Sequence, residues 1–264
     1  MTPTAPDIGL WQLGLGLIFI LIAGFASLAH GLKLGRDLAV GTLRTFAQLF
    51  LMGYVLVYVF SLQNMWLTLG MFTVMVAFAA RIILARLKKE PVSLAWPLFL
   101  SMLASYSMVS LLVTAVIVEA VPWWRPEIFI PLSGMVVGNS MTALAVSLER
   151  LFSDLRGQRS EIEAMLCLGA DSAEASRSVT RRAMSAGMIP SINSMMGVGL
   201  VFIPGMMTGQ ILAGQDPQQA VRYQIVVMLM LVGSTAVSAL IMVRLAVRRV
   251  FGKAWNLSAL DSRK

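Results

Sequence analysis

Long runs of apolar residues alternate with short polar segments along the 264-residue chain. A helix that crosses the hydrocarbon core of a bilayer needs about 20 apolar residues, and seven runs meet that length. They cover roughly residues 8–30, 38–60, 65–84, 95–118, 128–148, 188–213 and 221–243. The pattern predicts an all-α polytopic membrane protein with about seven transmembrane helices, forming a single transmembrane domain over residues 1–264.

The composition agrees with this pattern. Hydrophobic residues make up 58% of the chain and charged residues 13%, whereas soluble domains carry about 25% charged residues. The net charge of +8 would also suit a nucleic-acid-binding protein, but the basic residues cluster between the apolar runs, as in cytoplasmic loops. We therefore expect the lipid bilayer as a partner, and no nucleic acid.

The basic residues are divided unevenly between the two sides of the predicted bundle. Eighteen lysines and arginines fall on one side and only Arg125 and Arg222 on the other, while Arg44 lies near one end of the second span. Because cytoplasmic segments carry the excess of lysine and arginine, this distribution predicts an external N-terminus and a cytoplasmic C-terminus.

Acidic residues and lysines are missing from the centres of the predicted spans. All 13 acidic residues lie in loops, tails or span ends. Proton relays and retinal proteins need such groups within the membrane, and the protease motifs HExxH and GxSxG do not occur. The single cysteine excludes an internal disulfide and a CxxC-type metal site. The sequence thus argues against a protease, a rhodopsin or a proton-coupled transporter.

The longest polar segment between spans is the predicted cytoplasmic loop 149–187. Within it, Ile162, Met165 and Leu166 share one face of a short helix. Gly169 is suited to end that helix, and Asp171 is suited to cap a second, basic helix. Such an amphipathic elbow either docks into a groove of a partner protein or lies on the membrane surface, and the pattern leaves both interpretations open.

Two stretches resemble known permeases. The sequence EAMLCLGA, from Glu163 to Ala170, resembles the E-A-A-x-x-x-G-A coupling loop of ABC-transporter permeases, with Met165 in place of the second alanine. The wider region 130–231 resembles the permease family of the bacterial iron exporter FetA–FetB, whose plant relatives are linked to aluminium tolerance. The coupling residues that this resemblance implies are Glu163, Ala164, Gly169, Ala170 and Asp171.

The resemblance implies a permease subunit of the bacterial inner membrane that exports metal, with iron as the first candidate, and works as a homodimer. It also implies a separate cytoplasmic ABC ATPase, which binds the elbow and carries ATP and Mg. Independently, the chain lacks the motif GxxxxGK followed by Ser or Thr that holds ATP phosphates. We therefore expect no enzymatic activity and no bound cofactor in this chain.

Glycine and proline are concentrated in the sixth predicted span. Gly205 and Gly209 form a GxxxG pair, and Gly134 and Gly138 form another in the fifth span. Small residues at this spacing let helix backbones approach closely. Pro204 removes a backbone donor and predicts a kink in the sixth span. These residues are the candidates for helix packing and gating, including a subunit interface.

Polar side chains in the predicted spans are candidates for a translocation pathway. Asn139, Asn193, Thr208 and Gln210 are such candidates, because a buried amide or hydroxyl in a membrane needs a partner or water. Hydrogen bonding between helices is the alternative role for each of them.

The nature of the substrate rests on the resemblance alone. Met206 and Met207 offer thioether ligands, but these soft donors suit Cu(I) better than ferric iron or aluminium. We favour a packing role for both, because methionine fills irregular gaps between helices. No cluster of Asp, Glu, His or Cys marks a metal site. An ABC permease for a non-metal substrate, and a membrane scaffold or receptor with a docking loop, are the alternatives.

Overall fold

The computed structural model describes residues 9–32, 34–87 and 94–251. Almost all of these residues are helical, as predicted, and the helices form two compact units. Part of the predicted charge asymmetry rests on six basic residues that lie outside the described residues: Lys33, Lys88, Lys89, Lys253, Arg263 and Lys264.

The first unit consists of three helices and a short later segment: α1 (Leu10–Leu15), α2 (Leu17–Ala29), α3 (Gly35–Leu62) and residues 212–215. The Ser27 hydroxyl accepts the Leu34 N–H at 3.1 Å where α2 connects to α3. Apart from Ser27 and Val59, the described side chains of α2 and α3 remain at least partly exposed. Because most of them are apolar, this exposure suits a surface that contacts lipid or another protein.

The second unit is a bundle of the remaining helices: α4 (Met65–Arg86), α5 (Ala95–Leu111, followed by a π-helical turn at Leu112–Ile117), α6 (Pro126–Gly157), α7 (Arg159–Cys167), α8 (Ser172–Ala175), α9 (Arg177–Gly197), α10 (Gly205–Leu212) and α11 (Pro217–Phe251). α6 is the central helix and packs against α4, α5, α9 and α11. Its buried side chains recur every three or four residues, as at Leu144, Leu148 and Leu151. This spacing places one stripe of α6 in the core.

α6 and α9 approach each other closely at Gly187. A Cβ atom at this position would lie 2.6 Å from the carbonyl oxygen of Ala143 and would overlap the Ser147 hydroxyl. Real Cβ atoms do not make contacts this short. The absence of a side chain at Gly187 is therefore what allows the two helices to pack at this distance.

The predicted sixth span, residues 188–213, is not one helix. α9 begins inside the predicted cytoplasmic loop and ends at Gly197, and α10 starts only at Gly205. Between them Gly199 adopts a φ of +85°, and its N–H donates to the Phe202 carbonyl oxygen at 2.9 Å in a tight turn. The segment is therefore interrupted between Gly197 and Gly205: Gly199 favours the turn that follows α9, and Pro204 directly precedes the first residue of α10.

The other six predicted spans correspond to helices that are long and apolar enough to cross a membrane. In the part of the chain that the structure describes, these helical segments cover residues 11–29, 35–62, 65–86, 95–117, 126–157 and 217–251. The chain is thus an all-α polytopic membrane protein.

The predicted loop 149–187 is shorter than its sequence suggested. Residues 149–157 continue α6, and residues 177–187 form the start of α9. The segment that connects the two long helices, residues 158–176, contains α7 and α8 and is called the elbow below. Two short helices around a bend were predicted here, and the structure contains them.

Candidate functional site

The turn of the elbow is fixed by Gly169. Its φ is +97°, its N–H donates to the Leu166 carbonyl oxygen at 3.0 Å, and the Ala170 N–H donates to the Met165 carbonyl oxygen at 3.0 Å. The two hydrogen bonds together form a Schellman motif. This motif ends α7 and favours glycine at the residue with positive φ. The predicted helix stop at Gly169 is confirmed.

The second half of the elbow starts at Asp171. The Asp171 carboxylate accepts the Glu174 N–H at 2.6 Å and so caps the single turn of α8. A capping side chain satisfies a backbone donor that the short helix cannot satisfy itself. Gly169 and Asp171 together direct the chain from α7 back toward the bundle with little freedom.

The apolar face of α7 packs against the bundle itself. Ile162 is only 2% exposed, and Met165 and Leu166 are partly buried against the core of the second unit. The interpretation of α7 as a helix lying on the membrane surface required this face to meet lipid, which the packing does not leave free. The opposite side of the turn is exposed, with Leu168 at 88% exposure. Any partner of the elbow must therefore bind this outer side.

The remaining predicted coupling residues lie on or near that outer side. Ala164 and Gly169 are exposed, and Ala170 is half-buried. Glu163 forms an ion pair with Arg159 one turn earlier, at 2.8 Å. Since both side chains are partly exposed, this pair contributes little to stability, and the Glu163 carboxylate stays accessible at the surface.

The base of the elbow is fastened to both long helices by one cluster of charges. Arg182 on α9 donates to the Asp154 carboxylate at 3.0 Å and to the Gln158 side-chain oxygen at 2.6 Å. Arg150 forms a second ion pair with Asp154 at 3.0 Å. The Asp154 side chain is only 11% exposed, so this contact is less screened by solvent than a surface ion pair. These contacts tie the base of the elbow to both α6 and α9.

Further along the same helices, three side chains form a polar contact inside the bundle. The Asn139 amide nitrogen donates to the Ser191 hydroxyl at 3.0 Å and to the Thr235 hydroxyl at 3.2 Å, and the two hydroxyls are 3.3 Å apart. The three residues come from α6, α9 and α11. Ser140 and Ser234 form an adjacent hydrogen bond at 3.1 Å. We call these five residues the amide–hydroxyl cluster.

The cluster borders an open cavity in the surface of the bundle. A cavity of about 370 Å³ is lined by Asn139, Met206 and Gln224, among other residues of α6, α9, α10 and α11. Polar groups of three helices therefore meet next to a space large enough for a small substrate. Among the described residues, no group of three or more His, Cys, Asp or Glu residues is arranged to hold a metal ion.

Comparison with known proteins decides the family. The family described as "Uncharacterised protein family (UPF0014)" matches residues 10–251. The chain belongs to the UPF0014 family. No solved structure matches this UPF0014 chain.

Curated relatives of the UPF0014 chain come from bacteria and plants. It is 39% identical to the UPF0014 membrane protein slr1647 of Synechocystis over 95% of both chains. It is 34% identical to the protein ALUMINUM SENSITIVE 3 of Arabidopsis thaliana over 91% of this chain and 87% of the relative. It is 31% identical to the probable iron export permease protein FetB of Escherichia coli over 96% of both chains. The resemblance inferred from the residues is confirmed.

The four predicted pathway residues of the UPF0014 chain are not brought together. Only Asn139 belongs to the amide–hydroxyl cluster. Asn193 is exposed, and Thr208 is exposed and donates to the Pro204 carbonyl oxygen of its own turn at 3.1 Å. Gln210 is half-buried, and its side-chain oxygen has no hydrogen-bond partner in the described structure. A common site formed by all four residues is not present.

The predicted packing glycines of the UPF0014 chain differ from one another. A Cβ atom at Gly134 would lie 3.1 Å from the Met75 side chain of α4, so this glycine does face a neighbouring helix. Around Gly138, Gly205 and Gly209 no atom lies within 4 Å of where a Cβ would be, apart from the helix to which each belongs. These three glycines do not mediate close packing within the described chain.

Sequence reasoning missed several residues that the fold brings together. Ser191 and Thr235 are 52 and 96 residues from Asn139, and no local pattern pairs them. In the sequence, both residues are hydroxyl side chains within apolar helices. Such side chains often bond to the backbone of their own helix, so they do not by themselves predict a contact between helices. The sequence did not single out Asp154 either, because loop 149–187 contains six acidic and six basic residues.

Proposed function

We propose that this UPF0014 protein is the permease subunit of an ABC transporter that exports metal, with iron as the first candidate substrate. A separate cytoplasmic ATPase binds the elbow and supplies ATP hydrolysis with Mg. The observation that carries the proposal is the connection between two sites: the elbow is braced on α6 and α9, and the same two helices meet α11 in the amide–hydroxyl cluster. The name of the bacterial relative, probable iron export permease protein FetB, supports the same function.

The mechanism starts at the outer side of the elbow. The exposed side chain of Leu168 and the carboxylate of Glu163 contact the ATPase, and closure of the ATPase on ATP displaces the elbow. Because the Arg182–Asp154 contact holds α6 and α9 together, both helices move relative to α11. That movement separates Asn139 from Thr235 and admits substrate and water to the neighbouring cavity.

The amide–hydroxyl cluster offers neutral oxygen atoms to a passing cation. Hydroxyl oxygens replace part of a hydration shell without the strong binding that carboxylates would give. A weak site suits a pathway that must release its cargo. Met206 borders the same cavity, and we retain the packing role for it and for Met207, whose thioethers are a poor match for hard cations.

A homodimer supplies the second half of the transporter. The exposed faces of Gly138, Gly205 and Gly209, and the apolar turn that follows α9, are the surface that we assign to the second copy. Irregular backbone at membrane depth must be covered by protein or border water, because lipid offers no hydrogen bonds. In this arrangement the protein lies in the bacterial inner membrane with an external N-terminus and a cytoplasmic C-terminus. Reporter fusions at both ends test that orientation.

The decisive experiment is transport into inside-out vesicles. The permease is reconstituted with the ATPase that co-purifies with it, and ATP-dependent uptake is measured for Fe(II), Mn(II), Cu(I) and Al(III). We expect uptake of iron that requires both ATP and the permease. An ATPase variant that binds but does not hydrolyse ATP is the control.

The same preparation tests the rival interpretations. A membrane scaffold or receptor would yield no associated ATPase and no ATP-dependent uptake of any substrate. An ABC permease for a non-metal substrate would bind and stimulate an ATPase but transport none of the four metals. Either result contradicts the proposed metal export.

A further inference from the structure

An open groove of about 410 Å³ lies in the surface of the bundle where α5 begins and α11 ends. It is lined by Trp96, Pro97, Leu100, Ser101, Leu245 and Arg249. None of these residues lines the cavity beside Asn139 or belongs to the surface that we assign to the second copy. The groove is therefore separate from the proposed pathway and from the proposed dimer contact.

The groove lies at the ends of two helical segments that can cross a membrane. Residues 95–117 and 217–251 are both long and apolar enough to do so. Trp96 lies in the first turn of α5, and Arg249 lies in the last turn of α11. Both residue types suit the boundary between lipid and water, because each combines an apolar body with a polar end. We therefore place the groove at the level of the lipid headgroups.

The walls of the groove are apolar and accessible. Trp96 is 70% exposed and Leu100 is 48% exposed. The Trp96 ring stacks on the Phe99 ring, with centroids 5.8 Å apart and an angle of 17° between the planes. The Ser101 hydroxyl donates to the Leu98 carbonyl oxygen of its own helix at 2.9 Å, so it adds little polarity to the groove. Such walls suit an apolar chain that lies along α5.

Arg249 is the charged residue of the groove. It is exposed, and a guanidinium carries five N–H donors in a planar fork that matches a phosphate group. This number of donors lets it bind a phosphate in addition to contacts with the protein. No acidic side chain is among the described residues that line the groove. The cationic group of a zwitterionic headgroup would therefore lack a partner there, whereas an anionic headgroup needs none.

We propose that this groove is a binding site for one anionic phospholipid of the surrounding membrane. Arg249 binds the phosphate, and an acyl chain of the same molecule lies on Trp96 and Leu100. A soluble phosphate compound would use the cation but not the apolar walls, so the combination of the two favours a lipid. The site does not depend on the proposed export of metal.

Quenching of Trp96 fluorescence tests the proposal on the full-length protein. The protein is reconstituted in phosphatidylcholine vesicles with a rising fraction of phospholipid that is brominated in its acyl chains, since bromine quenches nearby tryptophans. The part of the quenching that Trp96→Phe removes belongs to Trp96. We expect brominated phosphatidylglycerol to quench Trp96 half-maximally at about a fivefold lower fraction than brominated phosphatidylcholine does, because one basic residue near the headgroups favours an anionic lipid by about that factor.

Three variants locate this preference. Arg249→Gln should abolish the preference for phosphatidylglycerol, and Arg249→Lys, which keeps the charge, should retain at least half of it. Arg248→Gln is the matched control, because Arg248 lies in the same turn and is also exposed but does not line the groove. We expect Arg248→Gln to keep most of the preference.

Four outcomes overturn the proposal. Equal quenching by the two lipids would show that the groove does not select a headgroup, and no quenching of Trp96 by either would show that lipid does not enter it. Equal losses in Arg248→Gln and Arg249→Gln would assign the preference to the general charge of this end of α11. Complete loss in both Arg249→Lys and Arg249→Gln would indicate a structural role for Arg249 in place of phosphate binding.

Native mass spectrometry in detergent gives an independent readout. When wild-type protein and Arg249→Gln are each incubated with equal amounts of phosphatidylglycerol and phosphatidylcholine, we expect wild type to retain one more phosphatidylglycerol molecule. Equal retention by the two proteins would contradict the site.

Discussion

The two ends of α9 are built in opposite ways. At its start, Val179 and Ala183 are fully buried, Arg182 bonds to α6, and Gly187 lies against the backbone of α6. At its other end the chain leaves the helix in an exposed apolar turn, in which Leu200 is 94% exposed. One end is held by its own chain, and the other has no cover within the described structure.

This difference shows which parts of the protein are complete by themselves. The start of α9 is tied to α6 by the Arg182–Asp154 ion pair and by the contact at Gly187, and the turn of the elbow is fixed by Gly169. The far end exposes apolar side chains and irregular backbone, which a membrane tolerates only beside protein or water. In the mechanism proposed above, displacement of the elbow moves α9, which ends in this exposed region. The following predictions test that contrast, beginning with the largest expected effect.

The contact at Gly187 should be the most sensitive point of the braced end. Gly187→Leu places a side chain where even a Cβ atom overlaps α6, and we expect a loss of about 3 kcal/mol in stability. Gly205→Leu, where no neighbouring atom lies within 4 Å, should leave the folded monomer unchanged and weaken only the dimer. Thermal unfolding in detergent and size-exclusion chromatography measure the two effects. Equal Tm values for the two variants would show that the packed start of α9 is no more sensitive to an added side chain than the exposed region after α9.

The second-largest loss of stability is expected in the charge cluster of Asp154, Arg150 and Arg182 at the base of the elbow. Asp154→Ala leaves Arg182 without its carboxylate partner in a partly buried position, and we expect a loss of about 2 kcal/mol. ATPase stimulation should fall as well, because α6 and α9 are no longer tied together. Glu149→Ala is the control: its pair with Arg86 is 3.9 Å long and half-exposed, so its loss should cost less than about 0.5 kcal/mol. If Glu149→Ala lowers the stability more than Asp154→Ala does, burial of the Asp154 carboxylate does not make its ion pair the stronger one.

The amide–hydroxyl cluster lies between the two ends and links them. Asn139→Leu removes the donor shared by Ser191 and Thr235, and such bonds inside membranes contribute about 1 kcal/mol. We expect this modest loss of Tm together with loss of most ATP-dependent uptake. Asn193→Leu, at an exposed position on α9, should affect neither. Normal uptake in Asn139→Leu would remove the cluster from the pathway.

The turn of the elbow should have a small effect on stability and a specific effect on coupling. Gly169→Val forces a β-branched residue to a φ of +97°, which costs about 1 kcal/mol or more and misdirects the outer side of the elbow. We expect the protein to remain in the membrane but to lose the bound ATPase or its stimulation. Gly157→Val, at a residue without positive φ, is the control. Wild-type ATPase binding and stimulation by Gly169→Val would show that the elbow is not the coupling element.

The smallest effect is expected at the uncovered end. Replacing Met206 and Met207 together by leucine conserves volume and apolarity, so stability should change by less than about 1.5 kcal/mol and metal uptake by less than about twofold. The measurement is uptake of each metal beside the amount of protein in the vesicles. Loss of transport at normal expression would show that the thioethers bind the cargo.

The turn of the elbow illustrates what can be predicted from sequence. Gly169 and Asp171 act on backbone groups within a few residues, so their effect is local and their sequence spacing is sufficient to predict it. The same holds for the six long helices, whose length and apolar composition follow from the thickness of the bilayer. The structure interrupts the apolar run 188–213 between Gly197 and Gly205, and hydrophobicity alone does not predict such an interruption.

The sequence by itself determined that this chain is helical, lies in a membrane, has a sharp elbow and belongs to the UPF0014 family. Only the tertiary structure decided that Gly187, and not Gly138 or Gly205, is the close contact within the chain. It also decided that Asn139 meets Ser191 and Thr235. The physical reason is distance along the chain: helix formation depends on near neighbours, whereas packing depends on the rotation and spacing of helices that are far apart in sequence.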